Sequence, residues 1–94
     1  PKYPAMTRDI AVLVKDSVIV KDIEDIIKAK GGKLLENIQL FDVFKGKQIP
    51  EGYKSVAYNI SFRASDRTLT DDEINEVMNK IIAGLEKDIK AELR

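Results

Sequence analysis

From Arg8 to Val14 the apolar residues Ile10, Val12 and Val14 alternate with their neighbours and β-branched side chains dominate, a pattern that predicts a strand. The period changes from Val20 to Lys30, where Ile23, Ile26 and Ile27 recur at helical spacing. Asp22, Glu24 and Asp25 come early in this segment and Lys28 and Lys30 late, as the helix dipole favours, and Gly31-Gly32 is the stop. Lys33 to Lys45 is again extended, but its parity slips: Ile38 and Leu40 share one phase, Phe41 and Val43 the other. A β-bulge at Leu40 to Phe41 reconciles the two halves by re-aiming the side chains that follow. Gly46 to Gly52, with Pro50, forms a hairpin loop. Ser55 to Arg63 then alternates without fault, with Val56, Tyr58, Ile60 and Phe62 on one side and Ser55, Ala57, Asn59, Ser61 and Arg63 on the other.

Thr70-Asp71-Asp72-Glu73 is a capping box, in which Thr70 accepts from the Glu73 backbone N–H and Glu73 reaches back. A second helix follows, with the apolar stripe Ile74, Val77, Met78, Ile81, Ile82 and Leu85. The tail from Asp88 to Arg94 alternates Ile89, Ala91 and Leu93 and reads as a final short strand. The order β-α-β-β-α-β predicts an α+β, ferredoxin-like fold, an antiparallel sheet with both helices on one face. The other face stays open, and on the third strand it is made of small and polar residues over which a planar ligand can lie. Bare faces of this kind also occur in modules that bind nothing, so the fold alone does not decide function.

The 94 residues fit one domain with a single core. The chain has no Cys and no His, which removes disulfides, thiolate metal sites and the commonest general base and zinc ligand. Sixteen Lys and Arg balance sixteen Asp and Glu, so overall charge gives no reason to expect a nucleic-acid partner. Placement changes that picture. Lys45, Lys47, Lys54 and Arg63 stand against Glu51 alone between Phe44 and Arg63, whereas the segment from Thr70 to Arg94 is acidic. No apolar run is long enough to cross a membrane, and Pro1-Lys2-Tyr3-Pro4 lacks the plan of a signal peptide, so the chain reads as cytosolic. Residues 1–7, with Pro at positions 1 and 4 and no initial Met, read as a linker-like lead-in to a domain cut from a longer polypeptide.

Five motifs then stand in order. They are Arg8-Asp9, Leu40-Phe41-Asp42-Val43-Phe44-x-Gly46, Gly52-x-Lys54-Ser55, Asp66-Arg67-Thr68-Leu69-Thr70-Asp71-x-Glu73 and Leu93-Arg94. In order and spacing they resemble the signature of the ferredoxin-fold anticodon-binding domain that closes the β subunit of bacterial phenylalanyl-tRNA synthetases. The resemblance spans nearly the whole chain. It implies an RNA-binding module without a catalytic or metal site of its own, whose open face contacts the anticodon stem-loop of the tRNA for phenylalanine and its first anticodon base, a guanine. It also implies a parent enzyme that attaches phenylalanine with ATP and Mg²⁺, in which an α subunit is the partner in a heterotetramer of two α and two β subunits. Mapped by motif, the family's Asp falls on Asp42, its aromatic on Phe44 and its Ser on Ser55. The family's usual Tyr is Phe here, which keeps a stacking surface and removes a hydroxyl.

The chemistry of these positions agrees with that assignment. Guanine presents two adjacent donors on its Watson–Crick edge, and a carboxylate is an acceptor-only fork that suits them. Phe44, two residues on along an extended segment, points to the same face as Asp42 and offers a flat partner for an unstacked base. Lys45, Lys47, Lys54 and Arg63 are the candidates for phosphate contacts. Plainer readings of the same residues stay open: Asp42 as a turn or edge-strand acid, Phe44 as core, Ser55 as a solvated strand opener, Arg63 as the partner of a surface acid. Arg67 and Thr68 fit the approach to the second helix, and Arg8 and Asp9 fit a structural pair. Three other functions share the topology. An RNA-recognition motif needs a basic and aromatic third strand that Lys54-Ser55-Val56-Ala57-Tyr58 does not supply. An amino-acid-binding regulatory domain has only Gly31-Gly32 in its favour, and an acyl-phosphate hydrolase lacks an anion-binding Arg between Lys15 and Val18.

Overall fold

The computed structural model of the chain describes residues 3–93; Pro1 and Lys2 of the expected lead-in and Arg94 of the expected final strand lie outside them. In chain order the elements are β1 (Met6–Lys15), α1 (Val20–Gly31), a 3₁₀ turn (Gly32–Leu34), β2 (Leu35–Phe44), β3 (Tyr53–Phe62), α2 (Asp71–Ile89) and β4 (Glu92–Leu93). The strands form one antiparallel sheet in the order β2-β3-β1-β4. The order expected of the split βαβ plan is therefore present, and the fold is ferredoxin-like.

Side-chain alternation on β1 and β3 builds the core. Register pairs Ile10 with Tyr58 and Val12 with Val56, so these residues share a face, and Ile60 and Phe62 continue it. All are buried, together with Ile23 and Ile27 of α1 and Ile74, Ile81 and Leu85 of α2, in a single cluster. Each such side chain contributes roughly 1.5 to 3 kcal/mol by leaving water, which makes this alternation the main determinant of strand phase. Burial pushes the Tyr58 phenol well above its ordinary pKa, and its hydroxyl donates to the Val20 carbonyl at the start of α1. That contact falls where α1 has no side-chain cap, since Ile19 occupies the N-cap.

Several boundaries differ from the expected ones, each for a local reason. Met6 and Thr7 pair with Phe62 and Ser61, so the strand begins inside the segment read as linker-like. β2 begins at Leu35 because the helix stop is followed by a 3₁₀ turn, and Gly32, at φ 62°, takes a left-handed conformation that other residues resist. The tail is corrected more substantially: α2 continues through Ile89, and only Glu92 and Leu93 pair with β1. Lys90 turns left-handed at φ 55°, and the Ala91 N–H reaches back to the Leu85 carbonyl at 3.2 Å, a C-terminal closure that ends the helix without glycine. Ile89 follows Leu85 by four positions, so it fits the helical stripe as well as the alternation with Ala91 and Leu93.

The capping box forms as expected. Thr70 Oγ1 accepts from Glu73 N and Glu73 Oε1 accepts from Thr70 N, both at 3.2 Å. Arg67 grips the same Glu73 carboxylate and also pairs with Asp66.

Candidate nucleic-acid interface

The register fixes what the open face carries. Four cross-strand rows run over it: Asn37, Ser61 and Thr7; Gln39, Asn59 and Asp9; Asp42, Ala57 and Ala11; and Phe44, Ser55, Leu13 and Glu92. This arrangement depends on the bulge. The pairing shifts between Leu40 and Asp42, so Leu40 lies opposite Tyr58 on the helix side while Asp42 lies opposite Ala57 on the open side. Without the inserted residue Asp42 and Phe44 would face the helices. A second shift, between Leu35 and Asn37, had no signal in the alternation.

Asp42 is exposed and makes no side-chain hydrogen bond to the described residues. The two alanines of its row leave a shallow floor, walled on one side by Phe44 and Ser55 and on the other by Gln39 and Asn59. Phe44 is 44% exposed, which answers the core reading: its ring is available from solvent. Ser55 is only 5% exposed although it belongs to the open face, because it lies in a row between Phe44 and Leu13. Among the expected contacts, then, Asp42, Phe44 and Ser55 come together.

Lys54 and Arg63 do not join them. Lys54 lies opposite Val14, on the helix side of β3, and its ammonium donates to the carbonyls of Val18 at 2.6 Å and Asp16 at 3.2 Å. It fastens the loop between β1 and α1. Arg63 follows the last residue of β3, and its Nε lies 2.7 Å from Glu36 Oε2 without an aligned N–H, so the contact is an ion pair rather than a directed hydrogen bond. Lys45 is held too: its Nζ lies 2.7 Å from Asp16 Oδ1, and this bond keeps the Asp16 carboxyl below its ordinary pKa. Lys47 has no ion-pair partner among the described residues.

Arg8 and Asp9 are not a pair. They alternate to opposite faces: Arg8 meets Asp71 at 3.2 Å beside the start of α2, and Asp9 accepts from Asn59 on the open face. Two further grooves lie beside the helices, one between α1 and β2 lined by Glu24, Lys28 and Leu35 and reaching Asn37 at the edge of the open face, the other between the helices lined by Lys30, Lys80, Gly84 and Lys87. Among the described residues no helix is long and apolar enough to cross a membrane.

Comparison with known proteins decides the family. The family model for the ferredoxin-fold anticodon binding domain matches residues 1–94. The chain belongs to that family. It is 61% identical over 94 residues to the phenylalanine–tRNA ligase beta subunit of Clostridium tetani, 50% identical to that of Clostridium acetobutylicum and 46% identical to that of Symbiobacterium thermophilum. All of this chain is covered in each comparison, but it spans only 12%, 12% and 10% of those proteins.

On this anticodon-binding domain the structure adds one residue that the alternation missed. Phe41, the bulged residue, is 78% exposed beside Asp42. The parity slip marked it, but a slip shows only that a residue is extra, not that its side chain is cast out into solvent.

Proposed function

We propose that this domain is the tRNA-binding accessory module of a phenylalanine–tRNA ligase β subunit and holds the anticodon stem-loop of the tRNA for phenylalanine on its open sheet face. One observation carries the reading: Asp42, a carboxylate with no partner among the described residues, stands over a floor of Ala57 and Ala11 next to an accessible aromatic, Phe44. A carboxylate with both oxygens free matches the paired N1–H and N2–H donors of guanine, and the alanines leave space for the plane of a base. Phe44 gives the base a stacking surface, with Ser55, nearly buried, in the same cross-strand row. Lys54 supports the face by fixing the loop at its end, and Arg63 closes the β3 end through Glu36.

Catalysis lies elsewhere in this reading. Phenylalanine activation with ATP and Mg²⁺ falls to the larger assembly formed with an α subunit, in the cytoplasm.

Titrating the chain with a tRNA anticodon hairpin whose first anticodon base is guanine, and with the same hairpin carrying adenine there, tests the proposal. Tighter binding of the guanine hairpin is expected, because adenine offers an acceptor at N1 and no N2 amino group. Equal affinity for the two removes base reading from this face.

A further inference from the structure

Gly46 has no conformational reason to be glycine. Left-handed backbone among the described residues is confined to Gly32, Gly52 and Lys90, so a side chain at position 46 meets no penalty from φ. Space is the constraint. A Cβ built on Gly46 would stand 2.6 Å from Cζ of Phe44 and 3.1 Å from its Cε2, closer than carbon atoms approach without displacement. The tip of the ring therefore rests against the bare Cα of Gly46.

The backbone at this point is held on both sides. The Gly46 carbonyl accepts from the N–H of Ile49, a buried residue, at 3.0 Å, and the preceding Lys45 is bonded to Asp16, whose own N–H donates to the Gly52 carbonyl at 2.8 Å. With the loop pinned, the group free to yield is the ring, which turns about two side-chain torsions. We infer that Gly46 is a positioning residue for the aromatic contact: its missing side chain lets the Phe44 ring settle where it meets RNA, and any side chain at 46 drives the ring out of that place. The inference rests on the proposed RNA-binding role of the open face.

The test compares the wild-type chain, Gly46→Ala, Phe44→Ala and the double variant. In the free chain, nuclear Overhauser contacts between the Phe44 ring and the α protons of residue 46 are expected in wild type and lost in Gly46→Ala, with the fold retained. Against the guanine anticodon hairpin, Gly46→Ala should bind roughly 5- to 150-fold more weakly, the range over which one base–aromatic stack acts. It should add nothing to the loss already caused by Phe44→Ala, since both act through one ring. Unchanged ring contacts, unchanged affinity, or a further loss in the double variant overturns the inference. If Gly46→Ala does not fold, Phe44→Leu/Gly46→Ala, which has no atom at the Cζ position, should recover the fold; failure there also overturns it. A wild-type chain that ignores the hairpin defeats the RNA reading and the aromatic contact with it, while the ring contacts still report whether Gly46 seats Phe44.

Discussion

Asn59 Nδ2 donates to Asp9 Oδ1 at 2.8 Å across β3 and β1, so of the two carboxylates on the central rows of the open face only Asp42 is free of a protein partner among the described residues. This separates their expected roles. Asp42→Asn replaces one acceptor with an amide that repels the second guanine donor, so preference for the guanine hairpin over the adenine hairpin should fall by about 1 to 3 kcal/mol, with the melting temperature nearly unchanged. Asp9→Asn should leave that preference intact. Paired affinities for the two hairpins check both, and an equal loss in the two variants would mean that the face does not distinguish its carboxylates.

The approach to α2 should make stability depend on acid. The Arg67 guanidinium first, and then the Thr70 backbone N–H, hold the Glu73 carboxyl below its ordinary pKa, while Glu73 and Asp66 raise that of Arg67. A carboxyl whose folded pKa is lowered stabilises the fold above its unfolded value, about 4.3, and that contribution is lost as pH falls from there through the folded value. Melting followed from neutral pH to pH ~3 should show a drop that is shallower in Arg67→Ala. Thr70→Ala, which removes the cap itself, should cost about 1 kcal/mol at neutral pH.

Where a segment obeyed one period, its structure was legible in the chain. Val56 to Phe62 alternates and Thr70 to Glu73 caps, and both took the expected form because burial and the unsatisfied N–H groups of a helix start leave few alternatives. Ile89 fitted two periods at once, and packing against the core chose the helix for it. At the site, the parity slip located the bulge and hence the shared face of Asp42 and Phe44. Lys54 illustrates what one dimension hides: its phase on β3 already placed it on the helix side, but the two carbonyls that hold it belong to residues 36 and 38 positions away.

Strand phase has a direct thermodynamic check at two neighbouring residues. Ile60→Ala opens a cavity beneath both helices and should cost about 2 to 5 kcal/mol. Ser61→Ala, on the opposite face, should change stability by no more than about 0.5 kcal/mol. Denaturant unfolding of the two variants measures the contrast, and similar costs would place the core on the wrong side of β3.

The cations near the hairpin loop should divide by what they already hold. Lys47 has no ion-pair partner among the described residues, whereas Lys54 spends its donors on the carbonyls of Asp16 and Val18 and Lys45 is bonded to Asp16. If phosphate contacts contribute to RNA affinity, binding must weaken as salt rises, because counterions released from RNA are returned to it. Lys47→Ala should then weaken both hairpins alike and reduce the slope of log affinity against log salt by about 1, with no change in melting temperature. Lys54→Ala should do the reverse: the carbonyls it leaves lose a charged donor, stability falls by roughly 1 to 2 kcal/mol, and the salt slope stays as it was. Hairpin affinities across a salt series, beside the unfolding of each variant, separate the two lysines. A reduced slope in Lys54→Ala with stability intact would instead place its ammonium on a phosphate in the complex, and the loop between β1 and α1 would then have to release it when RNA binds.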